Sequence, residues 1–519
     1  MFQLLQRKRF AINLPLLLFF LSLLAAACQK GYKEYYGGEN PKGGFLYNKI
    51  KDNPSFSQFS RGLERADLVK YINQGGLYTV FAPTNEAFDT YLKANNYNTI
   101  DDVPVDRLFT VLSFHIVNNM WYYYDLKTRF ATNKQTLYLT RNKKFLNIDV
   151  TAADTIKANG IPVVNSLRDI DAENGVIHGI GQVLVPLPSL EDVLQGDPAL
   201  KNSTFYRLMQ VLADKAYDRF NSYDKDRDGQ LDSMFYKVYP LLTNVNTSIE
   251  FKQNTAVDNQ GGDPVFNTIL VPSDDSLNAQ IAPALARIDN NVTDKIAALS
   301  PAYVEAVLKS YFIYDTSRTY SAEALINRPA TPILRSVNSE ALPALSDAQF
   351  LRKDIPASNG VIHLINRTFP ASEQLRSALG QASMDPQLSQ FMMALQKAGL
   401  MGTYENLARA GTYLAPTNAA FAAAGIDAKT QTMFGSGISN TDFALLVKNH
   451  IIESNLAPSG LTGTKVTAAA APYQLVFTNG GATVTTNTGL VATVQLPEAT
   501  KGANNVGYVY KVDKVLFPK

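Results

Sequence analysis

The phrase VFAPTNEAF at residues 80–88 returns as YLAPTNAAF at 413–421 and, more loosely, as LVPSDDSL at 270–277. A chain that repeats a phrase at this spacing is building one folding unit several times. The prolines Pro83, Pro272 and Pro416 set the register, 189 and 144 residues apart. A chain of 519 residues is too long for one core and should divide into about three domains of ~150 residues.

The neighbourhood of each proline repeats as well. Upstream lies an apolar pattern of helical period: Phe56, Phe59, Leu63 and Ala66, then Phe205, Leu208, Met209, Leu212 and Ala216, then Leu388, Phe391, Met392, Leu395 and Ala398. Downstream, VLSFHIV (111–117), VLKSYFI (307–313) and LLVKNHII (445–452) read as a second apolar helix. Thr/Val-rich stretches broken by turns then read as short strands. Each unit closes on a last strand: NGVIHGIGQVLVP (174–186), NGVIHLINRTFP (359–370) and NVGYVYKVDKVLFP (505–518). At the opening corner, Leu77 to Ala82 reads as a strand that Pro83 ends, because proline has no N–H for the ladder. Thr84 or Asn85 then caps a helix, as do Ser273 or Asp274 and Thr417 or Asn418. The corner is read as structural rather than as a ligand site.

These phrases resemble the fasciclin domain, which carries TVFAPTNxAF near its start and NGVIHxIDxVLxP at its end. The resemblance implies an α+β fold, three tandem units that are each a twisted β-wedge or sandwich with packed helices. It places fasciclin-like domains at 46–188, 189–372 and 373–519, the second enlarged by an insertion of about 214–262. It also implies adhesion through domain faces rather than a catalytic pocket.

All four histidines fall at equivalent positions, with tyrosine at the remaining two: His115, Tyr311 and His450 on the second helix, His178, His363 and Tyr510 on the closing strand. Tyrosine replaces poorly a zinc ligand or general base, but replaces well an apolar body with one hydrogen-bonding tip. The set is therefore read as structural. No G-x-S-x-G, H-E-x-x-H or P-loop phrase is present, and no enzyme is expected.

Ion chemistry is concentrated in DKDRDGQLD, within the insertion. Asp224, Asp226 and Asp228 at alternate positions, a glycine for the turn, the Gln230 carbonyl and Asp232 form a set of hard oxygen ligands suited to calcium. The twelfth position is Phe235 rather than a glutamate, so this is a calcium loop outside the EF-hand pattern or else a solvated acidic turn. In MWYYYD, Trp121 and Tyr123 are candidates for stacking on a sugar. If the run is a strand, alternate members face opposite sides and at least half belong to the core.

The chain begins with a basic stretch (Arg7–Arg9), an apolar run and LAAAC, the pattern of a secretory signal over residues 1–27. The ending resembles a bacterial lipobox, although the usual leucine falls one place early, at Leu24. Cys28 is the only cysteine, so no disulfide forms within the chain, and lipidation is its expected fate. Residues 28–45 read as a tether. A net charge of +2 offers nothing to nucleic acid. The expected protein is lipid-anchored in a bacterial envelope, in the outer membrane, periplasmic or surface-exposed. It binds surface proteins, matrix or glycans, with calcium as its cofactor. The alternative is a glycan-binding accessory lipoprotein of an outer-membrane nutrient-uptake system.

Overall fold

The opening strand Tyr78–Pro83 is apolar on both faces, and both faces are covered. It sits at the centre of a four-stranded sheet in the order Ile116–Val117, Tyr78–Pro83, Gly175–Ile180, Ile170–Ala172. The central pair is parallel, with Tyr78 opposite Gly175 and Pro83 opposite Ile180, and the outer pairs are antiparallel. The computed structural model describes residues 44–129, 136–150, 155–217, 230, 233, 235–249, 266–315, 319–329, 333–337, 339–369, 373–404, 411–498 and 500–518. The signal segment, Cys28 and the tether as far as residue 43 lie outside them.

The chain forms two units, one reaching Pro186 and the other holding Leu187–Tyr217, Phe235–Gln253 and Gly262–Lys519. In the first, the opening strand divides two cores. Val80 and Ala82 face helices that include Ser57–Arg65, Asn85–Ala94 and Val105–Ser113, where they meet Phe59, Phe88 and Leu112. Phe81, between them, faces the other way. It joins Leu146, Ile148 and Ile156 from a second sheet, the meander Thr136–Leu139, Phe145–Val150, Ile156–Ala158, Ile161–Pro162.

In the second unit the central sheet recurs twice. One copy runs Phe312–Asp315, Phe266–Pro272, Gly360–Ile365, Phe350–Ala357, and the other Ile451–Ile452, Thr412–Pro416, Tyr508–Val512, Thr500–Lys501. Leu414 again parts from Tyr413 and Ala415, facing a meander of Gly463–Val466, Gln474–Thr478, Thr483–Thr486 and Val491–Thr493. The architecture is α+β with several sheets, as the resemblance implies.

Two local readings change. The runs expected as a second helix each cross a boundary. The helices end at Ser113, Leu308 and Lys448, and strands begin at Ile116, Phe312 and Ile451. Five apolar residues in a run of seven or eight fit either period, so the pattern alone does not separate helix from buried strand. MWYYYD is also not a strand: a helix begins at Tyr123 and runs to Arg129. Its start is set by Asp125, whose carboxylate accepts from the Tyr122 N–H at 3.1 Å.

Candidate functional site

At each opening corner the two polar residues after the proline do different work. The Thr84 N–H takes over the ladder, donating to the Ile180 carbonyl at 3.0 Å. Its hydroxyl caps the helix Asn85–Ala94 by accepting from Ala87, as Ser273 and Thr417 do in their own copies. Asn85 instead reaches back to the start of the helix Ser57–Arg65. Its Oδ1 accepts from the Gln58 N–H at 3.1 Å and its Nδ2 donates to the Pro54 carbonyl at 2.8 Å. Asn418 repeats both contacts with Gln390 and Pro386, and Asp274 accepts from the Thr204 N–H at 2.7 Å.

The histidines are used up by backbone. His115 Nδ1 donates to the Val111 carbonyl at 2.9 Å, and its Nε2 accepts from the Leu184 N–H at 2.9 Å. His450 does the same with Leu446 and Leu516. At the equivalent place Tyr311 accepts from the Phe369 N–H and donates to Gln280. His178 and His363 carry the opposite tautomer: Nε2 donates to the carbonyls of Trp121 and Tyr320, and Nδ1 accepts from the N–H of Asp169 and Asp354. In the third copy the Tyr510 hydroxyl donates to the Leu456 carbonyl at 2.7 Å. Burial holds His115 and His450 down at about 4 and lowers His178 and His363 as well. With both ring nitrogens engaged, none of these histidines offers a lone pair to a metal or a substrate proton.

Further residues complete this lock, and reading the sequence overlooked them. Thr79, Thr268 and Thr412, each four places before its proline, accept from the N–H of Trp121, Tyr320 and Leu456. Asp169 and Asp354 stand nine residues before their histidines with φ of +52° and +53°, a region that aspartate tolerates better than most residues. Their carboxylates accept from the N–H of Tyr123 and Ala322. The signal was visible as D-I-x-A-x-N-G-V-I-H, present twice. Asn174 and Asn359 belong to the same phrase. Each is buried, accepting from a backbone N–H of Leu46 or Leu190 and donating to two carbonyls.

Trp121 and Tyr123 are half-buried against the core between the two sheets of the first unit. The Arg168 guanidinium lies 4.4 Å from the Tyr123 ring centre, a cation–π contact. The open member of the run is Tyr124. Of the acidic loop, Asp224, Asp226, Asp228 and Asp232 lie outside the described residues, and Gln230 is exposed. No cluster of three or more metal-ligating side chains occurs among the described residues.

The insertion brings together one more polar group. Glu191 is buried, and its carboxylate accepts from Tyr206, Tyr239 and Thr247 hydroxyls at 2.7, 2.9 and 2.7 Å, from Gln195 at 3.0 Å and from the Lys237 ammonium at 3.0 Å. Burial alone would raise its pKa. The donors outweigh that and hold it below the usual carboxylate value. This saturated carboxylate ties the hairpin strand Phe235–Val238 and the loop after it to the helix Thr204–Leu212.

A recurrent sheet with buried, backbone-bound polar pins defines a modular scaffold whose chemistry is directed inward. The sequence model of the Fasciclin domain family matches residues 54–186 and 386–518, and the chain belongs to that family. Protein sll1483 of Synechocystis sp. is 31% identical over 134 residues, 26% of this chain and 69% of that protein. Transforming growth factor-beta-induced protein ig-h3 of Oryctolagus cuniculus is 25% identical over 390 residues, 74% of this chain but 45% of its own length. Among solved structures, a FAS1 domain pair from the insect cell adhesion molecule Fasciclin I matches at 17% identity and a TM-score of 0.24, covering 61% of this chain and 97% of that one. Among the described residues, no helix is long and apolar enough to cross a membrane.

Proposed function

We propose that this chain is a lipid-anchored adhesive protein of the bacterial envelope. Three fasciclin-like domains, 46–188, 189–372 and 373–519, bind surface proteins, matrix or polymers through their faces. Residues 1–27 direct export, lipidated Cys28 holds the membrane, and residues 28–45 are the tether. The observation that carries the non-catalytic reading is the engagement of every histidine through both ring nitrogens. The threefold reading is supported by one sheet order and one set of Thr, His or Tyr pins in each copy. Tandem modules on one tether suit adhesion, because each weak contact raises the effective concentration for the next. Asp224, Asp226, Asp228, Gln230 and Asp232 bind calcium and stiffen the insertion.

The test is binding of the chain from Gln29 to Lys519, free of lipid, to whole cells, extracellular matrix and a glycan array, with calcium and with chelator. Binding to cells or matrix supports adhesion. Silence on every surface overturns it and leaves a spacer.

A further inference from the structure

In the second unit the helix Pro301–Leu308 meets the helix Ser389–Lys397, and one carboxylate bridges them. Glu305 Oε1 pairs with the Lys309 ammonium, and Oε2 accepts from the Gln396 amide nitrogen. The side chains of Glu305 and Lys309 are 15% and 20% exposed, with the buried Ala302 and Ala306 on the same helix. A primary amine and a primary carboxamide thus rest on the two oxygens of a single acid. That is the set an acyl transfer needs: a nucleophile, an acyl group with a leaving nitrogen, and an acid–base group touching both. Burial raises the Glu305 pKa, so this carboxylate takes a proton from Lys309 more readily than one in water does.

We propose that Lys309 and Gln396 join in a spontaneous isopeptide bond, with Glu305 as the proton carrier. The Lys309 ammonium gives one proton to Glu305, and the freed Nζ lone pair attacks Gln396 Cδ. The lysine stem is flexible, and its turn toward the amide closes the distance while Glu305 holds both nitrogens. The Cδ–Nε2 bond then breaks, as Glu305 passes its proton to the departing nitrogen and relays a second one from Nζ. The new amide keeps one of the three lysine protons. The other two leave with Nε2 as ammonium, so Glu305 ends as the carboxylate it began as. The cavity of about 330 Å³ that these side chains help to line gives the ammonium a way out. The bond ties the two helices covalently, so tension along the chain bypasses the segment between Lys309 and Gln396. This inference goes beyond the adhesive reading and does not depend on it.

The experiment is tryptic mapping by mass spectrometry of the chain from Gln29 to Lys519, held near neutral pH until its mass is constant. Trypsin does not cut after an acylated lysine. The bond therefore yields one branched peptide, residues 296–318 joined to 377–397, lighter by one ammonia than its two arms. That peptide is the expected result. Lys309→Arg keeps a cation beside Glu305, and with it the fold, but has no amine nucleophile, so the branched peptide should be absent. Glu305→Gln should slow its appearance by ~100-fold or more, the worth of a positioned acid–base group. A circular dichroism spectrum matching the parent's ties either loss to chemistry rather than to folding. Three results overturn the proposal: only linear peptides from the parent, Gln396 joined to a lysine other than Lys309, or a branched peptide formed at the parent's rate in Glu305→Gln.

Discussion

The N–H of Leu184 donates to Nε2 of His115 at 2.9 Å across 69 residues of chain, pinning the end of the closing segment to the corner after the helix Val105–Ser113. The bond needs an unprotonated Nε2. His115 and His450 titrate near 4 in the folded protein against an ordinary 6.5. Between those values the unfolded chain binds more protons, so stability falls as pH drops through that window and levels off below it. Each of the two should remove roughly 2 kcal/mol by about pH 5. Urea midpoints of the parent and of His450→Tyr, measured at about pH 7 and about pH 5, check this. The variant should show the smaller fall.

Asn85 and Thr84 cap different helices, so their losses should differ in kind. Asn85→Ala leaves the Gln58 N–H and the Pro54 carbonyl without their partner and should cost about 1–2 kcal/mol. Asn85→Asp, the residue type found at Asp274, keeps the acceptor and should cost about half as much. Thermal unfolding of the three proteins orders them.

At Gly175 and Gly360 a Cβ would stand 2.2 Å from the backbone oxygens of Tyr78 and Asn267 on the parallel neighbour. Backbone cannot rotate aside, so Gly175→Ala should cost ~3 kcal/mol or more. Gly181→Ala meets nothing within 4 Å and serves as the matched control, with an unfolding midpoint close to the parent's.

Glu191→Gln places an amide among five donors and should destabilise the second unit by ~3 kcal/mol. The first unit's transition should not move. Because the Glu191 pKa is lowered in the fold, its contribution is present above the usual carboxylate value and is lost as pH falls through the depressed one. The parent and variant should therefore converge in acid, as urea titrations at several pH values will show.

Calcium at tenfold over its dissociation constant should stabilise the chain by ~1.4 kcal/mol. Asp226→Ala should abolish the rise in melting temperature. An equal response in both proteins would remove calcium from the acidic loop.

The opening corners and the NGVIH strands were legible in the sequence because their causes are local. A proline without a donor and a cap four residues wide settle the chain's direction by themselves. The double role of Asn85 was not legible, since an acceptor shows its type in sequence but not which N–H it reaches. The Glu191 group escaped for a related reason. Its donors come from Gln195, Tyr206, Lys237, Tyr239 and Thr247, each ordinary in its own segment, and only the hairpin brings them together. Thr79 was overlooked because threonine in a strand needs no special explanation.

The parallel pairing of opening and closing strands has a consequence for how the chain is made. Tyr78 waits for Gly175, and Asn267 for Gly360, so the centre of each sheet forms only when nearly the whole copy exists. The segments at 174–178 and 359–363 are identical, and either could lie beside the wrong opening strand. Synthesis from the N-terminus resolves the choice, because the first closing strand emerges before the second opening strand does. Refolding the full chain from denaturant removes that order of emergence and exposes it to strand exchange between copies.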